Sequence, residues 1–115
     1  MIKVGHSKIA GKGVFARQRI GNDAIIEESP YVSIPMELVP EPLGDYVYTG
    51  NKPNTAMLVL GHGMLFNHSQ DPNVDYYLGK KKTIVYYTLR AVKKGEELTI
   101  SYGSDWWESR DIDPI

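Results

Sequence analysis

Eleven glycines and seven prolines punctuate this chain of 115 residues, so few stretches run long enough to build several helical turns before a breaker arrives. Such spacing favours short strands joined by frequent turns over a helix bundle. No internal repeat, low-complexity tract or linker divides the sequence, so one domain spanning residues 1–115 is expected. With 42% hydrophobic and 23% charged residues the composition is that of a folded domain, not of a disordered chain.

Between the breakers the segments read mostly as strands. Ile2-Lys3-Val4 is a possible strand, Ile9 to Gly13 a turn, and Val14-Phe15-Ala16 an apolar resumption. Ala24 to Tyr31 is strand-like, with Pro30 marking its end as an edge. Pro35 to Pro42 reads as loop, and Leu43 to Tyr48 as either a helical turn or a short strand. Thr55 suits the cap of a short helix over Ala56 to Leu60. Val74 to Leu78 and Thr83 to Leu89, rich in β-branched and aromatic residues, flank Gly79-Lys80-Lys81-Lys82 as a hairpin with a charged tip. The lysine run reads first as a solvated tip, and otherwise as an attraction for an acidic partner. Lys93 to Glu97 is a turn before a last strand, Leu98 to Tyr102.

Charge and cysteine usage narrow the classes of function. Thirteen Lys and Arg against fourteen Asp and Glu leave −1, so no direct nucleic-acid binding is expected, and any such contact would need a local patch. The absence of cysteine removes disulfides, thiolate nucleophiles and cysteine-bound zinc, and no metal site is expected from three histidines. The start lacks the apolar core of a signal peptide and no apolar run is long enough to span a bilayer, so an intracellular protein without a membrane role is expected.

Three constellations carry candidate chemistry. Gly11-Lys12-Gly13 is a turn whose glycines let backbone amides approach a ligand, although spacing alone favours a plain turn. In Phe66-Asn67-His68-Ser69, which Asp71-Pro72-Asn73 follows as a turn, Asn67 and His68 offer hydrogen bonds that suit an adenine edge or an amino-acid zwitterion. A Ser69–His68 nucleophilic pair and a structural histidine are the rivals there. Tyr102-Gly103 places a phenol at a strand end with Trp106-Trp107 just behind, residues able either to line a channel for a cationic amine or to close the core.

Taken in order, Gly11-Lys12-Gly13-Val14-Phe15-Ala16, Phe66-Asn67-His68-Ser69 with Asp71-Pro72-Asn73, and Gly95-Glu96-Glu97-Leu98-Thr99-Ile100-Ser101-Tyr102-Gly103 resemble the SET-domain protein lysine methyltransferases. The resemblance covers almost the whole chain, from about Lys3 to Trp107. The brevity, the lack of cysteine-rich flanks, Asp45-Tyr46 and Trp106-Trp107 make it similar in particular to the small viral branch of that family, whose substrate is lysine 27 of histone H3. The resemblance implies a mostly β fold of several small sheets with short helical turns, and a C-terminal pseudoknot in which the last segment threads beneath a loop.

It further implies S-adenosylmethionine as cofactor, held by Lys12, Gly13, Asn67 and His68 with Trp107 nearby. Tyr102 takes the catalytic position, and Tyr46 and Trp106 line the lysine channel. The implied partners are a histone or other protein lysine and a second copy of the chain in a homodimer, with a nuclear or chromatin location if the substrate is histone. A catalytically silent module that binds lysine-rich tails is the alternative. Lys12 stands where a bulky aromatic is common, Trp106 where Tyr or Phe is common, and Ile100 where Phe or Tyr influences how many methyls are added.

Overall fold

The computed structural model describes residues 1–39, 47–50 and 52–101. Nine strands appear among them: β1 (Ile2–His6), β2 (Lys12–Ala16), β3 (Ile25–Pro35), β4 (Tyr48–Thr49), β5 (Thr55–Val59), β6 (Asn67–His68), β7 (Val74–Leu78), β8 (Thr83–Thr88) and β9 (Glu97–Ile100). Two single-turn 3-10 segments, Met36–Leu38 and His62–Met64, are the helical structure among the described residues. The fold is thus mostly β, as expected.

The strands form a four-stranded sheet ordered β1-β2-β9-β6 and a five-stranded sheet ordered β4-β5-β3-β8-β7. In the first, β1 and β2 pair antiparallel from Ile2↔Ala16 to His6↔Lys12, while β6 pairs parallel with β9 through Asn67↔Thr99 and His68↔Ile100. That parallel pairing brings the middle of the chain beside its last described strand. In the second, β7 and β8 make the expected hairpin, with Lys81 and Lys82 at positive φ in its tip.

Alternation explains which faces meet. Val14 and Ala16 of β2, Ile84 and Tyr86 of β8, and Leu98 and Ile100 of β9 point into one core with Met57, Val59, Phe66 and Val74. Thr88 is buried there because its hydroxyl donates to the Gly21 carbonyl at 2.7 Å and accepts from Ala24 N at 2.9 Å, closing the turn before β3.

Two local expectations are corrected. Thr55 to Leu60 forms no helix. Thr55–Val59 is β5, sandwiched between β3 and β4, whose ladders satisfy a five-residue backbone better than an isolated short helix would. Nor does β3 end at Pro30. The strand continues to Pro35, and Pro30 marks a change of partner: pairing with β8 ends at Pro30↔Thr83 and pairing with β5 begins at Tyr31↔Val59. A residue without an N–H is tolerated where one ladder gives way to another. The expected threading of the C-terminal segment falls on residues outside those described.

Candidate active site

The expected cofactor residues converge because β2 and β6 border β9 on its two sides. From β6, the Asn67 Nδ2 lies 3.1 Å from the Ala10 carbonyl, 3.1 Å from the Lys12 carbonyl and 3.0 Å from Glu97 Oε2. Two amide hydrogens are thus shared among three acceptors. With its nitrogen so engaged, the amide has Oδ1 left to accept a hydrogen bond from a ligand's N–H. The Lys12 side chain is exposed, so the part of this residue that is built into the cradle is its carbonyl.

Glu97 is the hub of this cradle. Ser7 Oγ sits 2.8 and 2.9 Å from its two carboxylate oxygens, and Asn67 donates from the other side. A Cβ at Gly13 would collide with Glu97 Oε2 and stand 3.0 Å from Asn67 Nδ2. Glycine at this position is therefore required first by the close approach of Glu97 and Asn67. The residue is buried, with its backbone in register with Gly5.

His68 is only 5% exposed, and burial pushes its imidazole below the ordinary histidine value of 6.5. It is neutral near pH 7, with one nitrogen that donates and one that accepts. The neighbouring Ser69 hydroxyl accepts from Asp71 N at 3.0 Å, so it serves a turn rather than a nucleophilic pair. Asn73 grips β9 with both ends of its amide: Nδ2 donates to the Glu97 carbonyl and Oδ1 accepts from Thr99 N, each at 2.8 Å. Ser69 N donates to the Ile100 carbonyl at 3.0 Å, which pins the end of β9 next to β6.

A second cluster lies on the other sheet. Tyr86 is fully buried and donates to the Tyr48 hydroxyl at 2.9 Å, while Tyr48 donates to the Gly63 carbonyl at 2.7 Å. The Tyr76 ring meets Tyr48 edge-on at 5.4 Å, and Phe66 lies 4.8 Å from Tyr86. Burial raises the Tyr76 and Tyr86 hydroxyls above the usual tyrosine value, so both remain neutral donors at any ordinary pH. The Gly61-His62-Gly63 turn is held from below. Gly63 N donates to Ser29 Oγ at 3.1 Å, and Ser29 Oγ and His62 N both donate to Glu27 Oε2, at 2.8 and 3.1 Å. Phe66 joins this cluster directly to Asn67, so the polar cradle and the tyrosine cluster are contiguous.

Of the residues expected from sequence, Lys12, Gly13, Asn67 and His68 are brought to one place. Tyr102, Tyr46, Trp106 and Trp107 lie outside the described residues. Ser7, Glu97 and Asn73, which hold the cradle together, were not named as site residues, although Glu97 and Asn73 stand in the ordered motifs, because each looks like an ordinary turn or strand-edge polar residue until the strands pair. The tyrosine cluster left a signal in the crowding of seven of the eight tyrosines between Tyr46 and Tyr102, but which of them meet depends on the β3, β7 and β8 registers. Among the described residues no helix is long and apolar enough to cross a membrane.

Residues 11–103 match the profile of the SET domain. A histone-lysine N-methyltransferase of Schizosaccharomyces pombe, specific for lysine 37 of histone H3, is 34% identical over 112 residues, covering 92% of this chain and 76% of that protein. A SET domain-containing protein assigned provisionally in Acanthamoeba polyphaga mimivirus is 41% identical over 49 residues, covering 43% of this chain and 19% of its own. A crystal structure from Plasmodium falciparum, of a protein assigned provisionally as a histone methyltransferase, superposes with a TM-score of 0.79 at 39% identity, covering 92% of this chain and 96% of that one. The match over residues 11–103 places this chain in the SET-domain family.

Proposed function

We propose that the protein transfers a methyl group from S-adenosylmethionine to the ε-amine of a protein lysine, with the tail of histone H3 as substrate. The observation that carries this reading is the convergence of the Lys12–Gly13 backbone with Asn67 and His68 against β9, the strand that leads directly to Tyr102. A lysine-27-type site is the first choice, on the resemblance to the small viral members. The lysine 37 named for the S. pombe relative is the site to compare.

The residues present fit such a cofactor. Asn67 Oδ1 suits the α-ammonium of an amino-acid moiety, and the strands around Gly13 and His68 provide the wall beside it. When bound, S-adenosylmethionine supplies a methyl group already activated on a positively charged sulfur. The protein's task is then to deliver a neutral amine in line with that methyl. A free lysine has a reference pKa of about 10.4 and is mostly protonated, and a channel walled by aromatic residues lowers that value by desolvation. In this reading Tyr102 directs the amine lone pair through its hydroxyl, Tyr46 and Trp106 form the channel wall, and Trp107 closes the cofactor side.

Incubation with methyl-labelled S-adenosylmethionine and a panel of histone H3 peptides should label lysine. Peptide binding with no transfer and no cofactor binding would instead identify a silent reader of lysine-rich tails. Tyr102→Phe keeps the ring but removes the orienting hydroxyl, and should lower the rate by about 10²–10³-fold while cofactor affinity stays near that of the parent. A variant with near-normal turnover would displace the active site from Tyr102. We further propose a two-fold homodimer and a chromatin location. Light scattering that returns a monomer mass at micromolar concentration would remove the dimer.

A further inference from the structure

The fold presses together two basic segments that are remote in sequence. Arg17 and Arg19 lie on the chain leaving β2, and Lys93 and Lys94 on the chain entering β9. The two are joined by four backbone hydrogen bonds: Ala16 N to the Glu96 carbonyl (3.0 Å), Gly95 N to the Ala16 carbonyl (2.8 Å), Ile20 N to the Val92 carbonyl (2.9 Å) and Val92 N to the Ile20 carbonyl (2.8 Å). All four cations are exposed. Between Arg17 and Ile20 and between Val92 and Glu96 the one carboxylate is Glu96, which is engaged by Arg90 at 2.8 Å and accepts from Lys93 N at 3.1 Å. Among the described residues none of the four cations is in an ion pair.

We propose that Arg17, Arg19, Lys93 and Lys94 form a docking surface for the phosphate backbone of duplex DNA. Gathering like charges from separate segments costs stability, and it creates a local positive potential that the overall charge of −1 conceals. Guanidinium forks and ammonium groups both suit phosphate oxygens. A protein partner would call for apolar or aromatic anchors, and no large apolar side chain is exposed between Arg17 and Ile20 or between Val92 and Glu96. Lys80, Lys81 and Lys82 differ, because they lie on one hairpin tip and are not gathered from two segments remote in sequence. The choice of DNA as the polyanion rests on the histone reading above, since that substrate is packaged with DNA; the charge cluster itself does not depend on it.

The test compares two ways of removing cationic charge. Binding of a 20-base-pair duplex is measured by fluorescence anisotropy between 50 and 200 mM salt for the parent, for Arg17→Gln/Arg19→Gln/Lys93→Gln/Lys94→Gln, and for Lys80→Gln/Lys81→Gln/Lys82→Gln. Four phosphate contacts contribute about 3.6 to the slope of log affinity against log salt, at about 0.9 per phosphate. The quadruple variant should lose most of that slope and about tenfold or more in affinity at 50 mM, with an unchanged or raised thermal midpoint. The tip variant should stay within about twofold. Lys93→Gln/Lys94→Gln alone should show half the effect, which guards against a quadruple variant that fails to fold. Equal losses in patch and tip variants would reduce the effect to overall charge and overturn the proposal. Unchanged duplex binding with weakened nucleosome binding would overturn it too, assigning the patch to an acidic protein surface. If the parent methylates no histone peptide, the proposed function fails, while the duplex titration still decides the surface.

Discussion

Around Gly13 the hydrogen-bonded polar groups, buried or half-buried, are a carboxylate, an amide and a serine hydroxyl; around Gly63 they are two phenols, a serine hydroxyl and a backbone carbonyl. Both regions use a glycine where a Cβ would intrude on a hydrogen-bonding side chain. In the first, the bonds run among Ser7, Asn67 and Glu97 and tie together β2, β6 and β9. In the second, neutral hydroxyls are stacked in an aromatic cluster and point at one carbonyl. Under the proposed function, the polar, partly charged cradle is the region that suits a zwitterionic cofactor. Buried networks of either kind are costly to break, because each remaining partner is left unsatisfied away from water.

The largest effects should come from the two glycines. At Gly63 a methyl would meet Tyr86 Oη, Ser29 Oγ at 2.8 Å and Val59 Cγ1 at 2.8 Å, groups locked in the core. Gly63→Ala should cost about 3 kcal/mol in urea unfolding. At Gly13 the colliding atoms are the ends of two side chains, which can swing aside. Gly13→Ala should cost about 2 kcal/mol, with a larger fractional loss in cofactor titration. Equal stability losses with intact cofactor affinity would erase the distinction between the two regions.

Glu97→Gln keeps the shape of the hub but turns an amide toward Asn67 or Ser7, and should destabilise by about 1.5 kcal/mol because bonds to a charged acceptor are replaced. Tyr86→Phe removes one neutral hydroxyl bond and should cost about 1 kcal/mol, leaving cofactor affinity unaltered. A Tyr86→Phe loss that exceeded that of Glu97→Gln would show the neutral network to be the stronger of the two.

The smallest effects are in pH dependence, and they have opposite signs in the two regions. His68 has its native pKa held below 6.5, so on acidification the unfolded chain takes up that proton first. Its contribution is present above about pH 6.5 and declines as pH falls toward the native value. Tyr86 has its native pKa raised above 10.0, so in alkali the unfolded chain ionises first, and stability declines as pH rises past 10. His68→Gln should flatten the acid limb of a stability profile measured by urea unfolding, and Tyr86→Phe the alkaline limb. If each substitution altered the other's limb, the assignment of both groups would be wrong.

Much of the strand content was legible because its signals are local. The β7–β8 hairpin followed from β-branched and aromatic runs around Gly79, and β9 from the alternation after Gly95. Thr55 to Leu60 misled because five apolar-rich residues carry no period long enough to separate helix from strand, and neighbouring β3 and β4 decided the matter. Pro30 misled because one proline states only that an N–H is missing. Whether that ends a strand depends on which partner lies opposite.

By itself the sequence determined the short-stranded, mostly β character of the chain and, through three ordered motifs, which family's residues to look for. Lys12, Gly13, Asn67 and His68 could be named as cofactor candidates from those motifs alone. Only the tertiary structure decided that Glu97 is the hub joining Asn67 and Ser7, that Tyr48, Tyr76 and Tyr86 meet, and that Arg17 and Arg19 stand beside Lys93 and Lys94. Backbone preference and hydrophobic alternation act between near neighbours in the chain and leave their mark there. A hydrogen-bonded hub or a charge cluster depends on the register of strands distant in sequence, and a slip of one residue would turn every one of these side chains to the opposite face.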